Sequence, residues 1–187
     1  MKLPVEYLIP KYQDRLYGAA FSVLQNSADA RDAVQLAFIQ YHQNELSFEN
    51  EDHIRAWLFR TVVCRAKDIN RSFWRRHRVD IDAFAQTLGF ETPREQSLFA
   101  SVAKLAPDYR MVLQLYYYEE YSVKEIAAIL GIRENTVKKR LERARRKLKE
   151  ELLEEWRDEE RQSEILPKDL LAPAPARSGA YGGHRNE

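Results

Sequence analysis

The chain has 187 residues, of which 44% are hydrophobic and 32% charged, and its formal net charge at pH 7 is +1. That size allows one medium hydrophobic core or two small ones, and the composition is ordinary for a soluble globular protein. The sequence excludes an internal disulfide, because Cys64 is the only cysteine, and a membrane-spanning helix, because no apolar run approaches about 18 residues. The N-terminal stretch lacks the apolar segment of a signal peptide, so we expect a cytoplasmic protein that is not inserted in a membrane.

The near-neutral net charge conceals a strong segregation of charges. Residues 1–52 contain four basic and eight acidic residues, whereas residues 55–78 contain eight basic residues and one acid. A second basic stretch, residues 122–149, contains ten Lys or Arg residues and three acids. Separate acidic and basic surfaces indicate more than one kind of partner.

Apolar residues in the first part of the chain recur every three or four positions, which is the spacing of a buried helix face. The pattern predicts a helix over about residues 5–23, a second beginning near Ser27 or Asp29, and a third over about residues 52–76. The polar and acidic stretch "QNELSFENED" between the second and third helices is predicted to be a loop. Helices of this kind bury their apolar faces against one another, so we expect a three-helix bundle.

This periodicity is lost over residues 79–92, which we interpret as a linker between two helical domains. Thr92 can cap the next helix, and Pro93 is favoured at its first position. Further helices are predicted over about residues 93–104, 107–119, 123–129 and 133–155. No strand-length alternation competes with this reading, so the predicted fold class is all-α. Residues 156–187 end in a stretch rich in Pro, Ala and Gly and are predicted to form a disordered tail.

The sequence "YSVKEIAAILGIRENTVKKRLERARRKLKEEL", residues 121–152, has the pattern of a helix-turn-helix. Ser122 and Glu125 can form a capping box at the start of a short helix, and Gly131 can supply the positive φ of the turn that follows. The second helix carries an apolar stripe surrounded by Lys and Arg, as expected of a helix that enters the major groove of DNA. An ordinary solvated basic helix is the alternative, but it would need neither the capping box nor the glycine.

Candidate DNA contacts fall into two groups along this second helix. Positions near its start can reach base edges, and they are Arg133, Glu134, Asn135, Thr136, Lys138, Lys139 and Arg140. Asn can pair with adenine, Glu can accept a hydrogen bond from cytosine, and Arg or Lys can bind guanine. Arg143, Arg145 and Arg146 lie further along the helix and are predicted to anchor phosphates.

Cations and aromatic rings are interleaved at the end of the third predicted helix. The candidate contacts there are Asn70, Arg71, Trp74, Arg75 and Arg76. Guanidinium groups can hold phosphates while rings stack on bases, so this combination suits single-stranded nucleic acid. In the alternative reading, Phe73 and Trp74 pack in the core and the arginines complement the helix dipole.

Residues that would indicate catalysis are scattered. The four histidines lie far apart in the sequence, and no Gly-rich phosphate-binding loop is present. We therefore expect no enzyme activity, no catalytic or metal-binding residue, no cofactor and no small-molecule substrate. The aromatic run at residues 116–118 is predicted to pack in the core, because consecutive helical residues point in different directions and form no single aromatic site.

Longer stretches resemble a known family. The sequence "LAPDYRMVLQLYYYEEYSVKEIAAILGIRENTVKKRLERARRKLKEEL" resembles the C-terminal domain of bacterial sigma factors of the extracytoplasmic-function (ECF) group, which reads the −35 promoter element. "DARDAVQLAFIQYH" resembles the polymerase-binding helix of these proteins, and "HIRAWLFRTVVCRAKDINRSFWRRHR" resembles the helix that meets the −10 element. The resemblance covers about residues 5–155, with both domains in order.

The resemblance assigns roles to parts of the chain. It implies a sigma region 2-like domain over residues 1–78, a linker over 79–92 and a region 4-like domain over 93–155. It implies that the basic helix reads the −35 element, and that the −10 element is bound by the cation and aromatic cluster above together with Asn44 and Phe48, which lie where the family has a pocket for a flipped base. The residues implied to bind core RNA polymerase are Asp29, Asp32, Gln35, Phe38 and Ile39.

Three positions depart from the family pattern, one of them Ala106, which stands where Pro is frequent. Arg133 stands where a Ser cap is usual, and an Arg side chain has no oxygen with which to cap a helix. Leu36 stands where an acid is frequent, so the polymerase contact is expected to be retuned.

The sequence thus predicts a sigma factor that binds core RNA polymerase and promoter DNA, with an anti-sigma factor as a further expected partner. A stand-alone helix-turn-helix regulator with an N-terminal sensing domain is the alternative. A protein-interaction module whose basic helix meets an acidic partner is a more remote one.

Overall fold

A computed structural model of the chain describes residues 1–73 and 92–159. Regular structure within these residues is helical throughout, which confirms the all-α fold class. The helices are α1 (Val5–Leu24), α2 (Ser27–Gln43), α3 (Glu51–Phe73), α4 (Pro93–Lys104), α5 (Pro107–Leu113), α6 (Val123–Leu130) and α7 (Glu134–Glu159). A π-helical turn, Gln114–Tyr118, continues α5.

Several sequence predictions concern residues at the edges of, or outside, the described ranges. The last predicted turn of the third helix, the predicted linker and the predicted tail from residue 160 onward lie outside the described residues. Helix α7 continues to Glu159, past the predicted limit at residue 155. The capping box at the start of α4 is present, since Thr92 accepts a hydrogen bond from the Glu95 amide and the Glu95 carboxylate accepts one from the Thr92 amide.

Helices α1, α2 and α3 pack into the predicted bundle, which we call the N-terminal bundle. Its buried side chains recur at helical spacing, as Leu8, Leu16 and Val23 do on α1. The loop before α3 is fixed by Phe48, which is only 9% exposed and stacks on Tyr41. Burying such aliphatic and aromatic side chains is the main term that stabilises a bundle of this size.

Helices α4 to α7 form a second unit, which we call the C-terminal unit, and it is organised around the buried guanidinium of Arg110. This group donates hydrogen bonds to the carbonyl oxygens of Ala103 (3.1 Å) and Leu105 near the end of α4. It also reaches the end of α1, where it donates to the carbonyls of Ser22 (2.5 Å) and Val23 (3.1 Å). Carbonyls in the last turn of a helix lack a partner within that helix, so one cation here satisfies the ends of two helices.

The two units pack directly against each other through this contact. Gln25, which ends α1 in a left-handed conformation, donates from its side chain to the Ala103 carbonyl at 2.6 Å. On the neighbouring turn of α1, a Cβ added at Gly18 would lie 3.1 Å from the side-chain nitrogen of Gln114. The core therefore runs without interruption from the N-terminal bundle into the C-terminal unit.

We predict that Arg110→Met lowers the free energy of unfolding by about 3 kcal/mol, because carbonyls at two helix ends lose a charged donor while remaining buried. Arg110 is only 7% exposed, and this burial lowers the pKa of its guanidinium to about 10. Urea unfolding followed by circular dichroism measures the loss. The control is Arg146→Met, which removes an exposed guanidinium 3.9 Å from Glu150 and should change stability by less than about 0.5 kcal/mol. Equal effects of the two substitutions would contradict the assignment.

Candidate nucleic-acid interface

The helix-turn-helix is built from α6 and α7. The Ser122 hydroxyl accepts from the Glu125 amide at 3.3 Å, and the Glu125 carboxylate accepts from the Ser122 amide at 2.8 Å, so the predicted capping box is present. Gly131 ends α6 with φ 65°, the left-handed conformation that a residue with a Cβ rarely adopts. Helix α7 starts immediately afterwards, and the Arg133 carbonyl accepts the first helical hydrogen bonds, from Thr136 at 2.8 Å and Val137 at 3.2 Å.

The apolar stripe of α7 decides which of its basic residues face outward. Its buried members are Val137, Leu141, Ala144, Leu148 and Leu152. They are spaced by three or four residues, so the stripe lies along the C-terminal unit and the remaining positions turn outward. The result is a helix whose buried face is aliphatic and whose outer face is dominated by cations.

Most of the side chains that are predicted to read bases are exposed and can contact DNA. The exposed ones are Arg133, Glu134, Asn135, Lys138 and Lys139, while Thr136 is half-buried. Arg140 differs, because its guanidinium pairs with the Asp108 carboxylate at 2.6 Å and its side chain is 24% exposed. This pair ties α7 to the start of α5, so Arg140 has a structural role that the sequence pattern did not reveal.

The three predicted phosphate anchors also differ from one another. Arg143 and Arg146 are exposed. Arg145 is half-buried, donates from Nε to the Tyr117 hydroxyl at 2.9 Å, and lies 5.5 Å from the centroid of the Tyr116 ring. A cation stacked on aromatic rings is held in one orientation, which restricts where Arg145 can reach.

The expectation that the aromatic run packs in the core is wrong for two of its members. Tyr117 is 50% exposed and Tyr118 is 72% exposed. The chain forms a π-helical turn here, in which the Glu119 amide donates a hydrogen bond to the Gln114 carbonyl at 3.1 Å. The wider turn changes the directions in which its side chains point, compared with an α-helix.

The candidate −10 surface is partly described. Asn70 is half-buried, and Arg71 is exposed and pairs with Asp68 at 2.6 Å, while Trp74, Arg75 and Arg76 lie outside the described residues. In the loop before α3, Asn44 is half-buried, and its side-chain nitrogen is buried without a hydrogen-bond partner among the described residues.

Phe48 does not fit the expectation that its ring contacts a base. The ring lies in the core, 5.8 Å from the Tyr41 ring and 6.0 Å from the Trp57 ring. The buried ring packs beneath the loop and holds it in place. Burial among other aromatic rings stabilises the fold more than exposure of the ring to water would. The expectation came from the family resemblance, which implies a pocket for a flipped base at this loop.

A groove of about 820 Å³ runs between α1 and α2 and contains part of the predicted polymerase-binding set. Gln35, Phe38 and Ile39 line it, and Ile39 is 43% exposed. Asp29 and Asp32 lie in the first two turns of α2, outside the groove, with Asp32 exposed. Asn26 caps the start of α2, where its side chain accepts a hydrogen bond from the Asp29 amide at 3.0 Å.

Sequence reasoning missed much of this groove. Its apolar walls also include Val5, Ile9, Tyr17 and Val34. Leu36, on α2, is 46% exposed. Leu36 and Ile39 are three residues apart and are therefore neighbours on the surface of one helix. Such an exposed apolar pair indicates a docking surface, and it was the signal in the sequence that could have predicted one here.

The described part of the chain contains neither a candidate metal site nor a candidate membrane span. No cluster of His, Cys, Asp or Glu among these residues has the arrangement needed to bind a metal ion. None of the described helices is long and apolar enough to span a membrane.

Comparison with known proteins gives a consistent result. Residues 8–79 match the family model of sigma-70 region 2, and residues 95–148 match the model of sigma-70 region 4. The chain is 28% identical over 162 residues to ECF RNA polymerase sigma factor SigW of Bacillus subtilis, covering 78% of this chain and 87% of that protein. It is 32% identical over 142 residues to ECF RNA polymerase sigma factor SigL of Mycobacterium tuberculosis, covering 72% and 80%.

Solved structures show the same relationship. The structure of CnrH in complex with the cytosolic domain of CnrY has a TM-score of 0.58 and 29% identity, covering 79% of this chain and 86% of that one. Sigma factor RpoE in complex with the anti-sigma factor NepR from Bartonella quintana shares the fold, with a TM-score of 0.62 and 23% identity over 79% and 95% of the two chains. With both family regions matched in order, the chain belongs to the sigma-70 family and, within it, to the ECF group of sigma factors.

Proposed function

We propose that this chain directs core RNA polymerase to promoters, with the C-terminal unit reading the −35 element and the N-terminal bundle binding core enzyme and the −10 element. The observation that carries the proposal is the presence of sigma-70 regions 2 and 4 in one chain and in that order. We assign residues 1–78 to core and −10 binding, residues 93–155 to −35 binding, and residues 79–92 to the connection between them.

Recognition of the −35 element is assigned to the start of α7. The exposed side chains there have the donors and acceptors that distinguish base pairs in the major groove, with Asn135 suited to adenine and Glu134 to cytosine. Arg143 and Arg146 follow about two and three turns after Asn135 and are assigned to the phosphate backbone, which positions the helix without reading sequence. Arg140 and Arg145 are assigned to holding α7 in place, since each is engaged by a side chain from outside α7.

Core polymerase binding is assigned to the α1–α2 groove and the acidic start of α2. An apolar groove with an exposed aliphatic rim suits an amphipathic helix of a partner. Asp29 and Asp32 add negative charge at one end, which favours a partner with basic residues there. Cytoplasmic localisation follows from this assignment, because the proposed partner is the bacterial polymerase.

Capture of the −10 element is assigned to the end of α3 and to Asn44. The unpaired side-chain nitrogen of Asn44 supports this, because a buried donor without a partner gains free energy when a base acceptor reaches it. The proposed function needs no catalytic residue and no cofactor of this chain, since recognition and strand opening use binding energy. An anti-sigma factor is proposed as a partner because a similar sigma-factor fold occurs bound to one. A stand-alone regulator is not favoured, because the N-terminal part matches sigma-70 region 2 rather than a sensing domain.

We predict that Asn135→Ala and Arg143→Ala impair DNA binding in different ways. Loss of Asn135 should remove about 1 to 3 kcal/mol of discrimination at one base pair and so flatten the preference among −35 sequences. Loss of Arg143 should weaken binding to all sequences alike and reduce the salt slope by about 0.9. Anisotropy binding of the reconstituted holoenzyme to a −35 library at several salt concentrations measures both quantities.

The matched control is Lys149→Ala, which removes an exposed cation from α7 outside the proposed contact set. It should alter preference and salt slope less than either variant. If Arg143→Ala changes the sequence preference while Asn135→Ala weakens every site equally, the assignment of readers and anchors is wrong.

We predict that Ile39→Glu weakens binding of the chain to core polymerase at least about tenfold, because a carboxylate would have to be buried where an aliphatic side chain docks. A competition assay with labelled chain and core enzyme, without DNA, measures the affinity. Leu46→Glu is the control, since Leu46 is an equally exposed aliphatic residue, 51% against 43%, in the loop beyond the groove. Equal loss in both variants, with unchanged helicity, would show that the groove is not the docking site.

A further inference from the structure

Residues 1–3 contact the loop that joins α2 to α3, residues 44–50. The Met1 carbonyl accepts a hydrogen bond from the Phe48 amide at 2.9 Å, and the Met1 nitrogen donates one to the Phe48 carbonyl. Two residues that exchange both main-chain hydrogen bonds are paired as residues of antiparallel strands are. The Met1 nitrogen also donates to the Ser47 hydroxyl at 3.0 Å. The main chain of the loop is thus held by a segment that is distant in the sequence.

Lys2 holds the end of α2 and the first residue of the loop. Its Nζ donates to the His42 carbonyl at 3.0 Å and to the carbonyl of Asn44, which caps the C-terminus of α2. Carbonyls at the end of a helix lack a donor within the helix, and a cation is favoured there by the helix dipole. Lys2 therefore fixes the main chain of Asn44, the loop residue assigned to the −10 element.

Tyr41 fixes the other end of the segment. Its hydroxyl accepts a hydrogen bond from the Leu3 amide at 3.0 Å and donates one to the Leu3 carbonyl at 2.9 Å. The Tyr41 ring is only 1% exposed and stacks on the Phe48 ring at 5.8 Å. The loop is therefore fixed both by the buried aromatic rings and by residues 1–3, and Tyr41 connects the two.

The side chain of Asn44 makes the position of this loop important for base recognition. Its Oδ1 accepts a hydrogen bond from the Leu46 amide at 3.1 Å, while its Nδ2 is buried without a hydrogen-bond partner among the described residues. A base acceptor satisfies such a donor only when the two atoms come within about 2.7–3.2 Å and are well aligned. Movement of the Asn44 main chain by about 1 Å is enough to break that alignment.

We propose that residues 1–3 form a brace that positions Asn44 and so sets the base preference at one position of the −10 element, without contacting DNA. Lys2 and Tyr41 are its positioning residues, and neither belongs to the residues that the family resemblance assigns to promoter DNA. The proposal rests on the proposed function only in that the loop meets the −10 element.

Amide hydrogen exchange in the free full-length chain tests the brace in the absence of DNA. Lys2→Met removes the charge and both donated hydrogen bonds. Tyr41→Phe keeps the buried ring but removes the hydroxyl that bonds to Leu3, and circular dichroism checks that the bundle remains folded. Each substitution should speed exchange of the Phe48 and Leu46 amides at least about fivefold, because the loop then opens locally more often.

Base preference is measured with holoenzyme reconstituted from each variant. Anisotropy binding to promoter fragments with an unpaired −10 strand, carrying each base in turn at each position, gives the preference at that position. Lys2→Met and Tyr41→Phe should each lower the preference at least about threefold, at the same position where Asn44→Ala lowers it. The double variant of Lys2→Met with Asn44→Ala should lose no more preference than Asn44→Ala alone, because the brace acts through Asn44.

Two further variants and the salt dependence make the result specific. Lys2→Arg keeps the charge and the donors, so exchange and base preference should stay close to those of the unsubstituted chain. Lys149→Met removes an exposed cation from α7 with the same change of net charge and should alter neither quantity. A lysine bound to a phosphate contributes about 0.7 to the salt slope on single strands, so Lys2→Met should leave that slope unchanged if Lys2 only positions Asn44.

Each contrary result has a distinct meaning. Unchanged exchange in both Lys2→Met and Tyr41→Phe would overturn the brace, whatever the chain does with DNA. A salt slope reduced by about 0.7 with the base preference retained would show that Lys2 binds a phosphate, which also overturns the proposal. If exchange rises and only Asn44→Ala loses preference, residues 1–3 stabilise the loop without positioning Asn44, and the proposal is wrong while the proposed function stands.

Failure of the proposed function gives a different pattern. If Asn44→Ala itself leaves binding to every −10 sequence unchanged, the assignment of this loop to the −10 element is wrong. The role of residues 1–3 in base preference then falls with it, whereas the exchange rates still show whether these residues hold the loop.

Discussion

The arrangement of the whole molecule depends on how buried charges are neutralised between its two helical units. Arg110 is almost completely withdrawn from water, and its hydrogen bonds go to carbonyls at the ends of α1 and α4. A desolvated guanidinium is tolerated only when its donors are used, so this side chain fixes the position of α5 against both helices. Burial raises the pKa of Glu119, while Arg15 and Arg55 oppose that rise by favouring its charged form. Arg110 and Glu119, with their partners, make the centre of the contact between the two units polar, while the side chains around it are aliphatic.

The DNA-reading face follows from this frame and from the turn at Gly131. The left-handed glycine sets the direction of α7, and the aliphatic stripe of α7 sets its rotation about its own axis. Among its many cations, Arg140 is engaged by Asp108 and Arg145 by Tyr117, both on other elements, while those at its start are exposed. A basic helix thus divides into residues that hold it and residues that face outward, and the division depends on neighbours that are distant in sequence.

The packing of the two units leaves two of the three proposed binding surfaces open to solvent, the α1–α2 groove and the start of α7. The α1–α2 groove retains its exposed aliphatic rim at Ile39, and the first turn of α7 remains exposed at Asn135. Packing of the two units therefore restrains the distance between the faces rather than covering either of them.

The sequence by itself determined the helices, their caps and the family. Apolar spacing, the capping boxes at Thr92 and Ser122 and the turn at Gly131 are local features, and local features can be read from neighbouring residues. The sequence did not reveal that Phe48 is buried, or that Tyr117 and Tyr118 are exposed on a π-helical segment. It also gave no sign of the partners of Glu119, because Arg15 and Arg55 precede it by 104 and 64 residues. Such pairings are decided by tertiary packing, since the free energy of a buried charge depends on which groups surround it in space and not on which residues adjoin it in the chain.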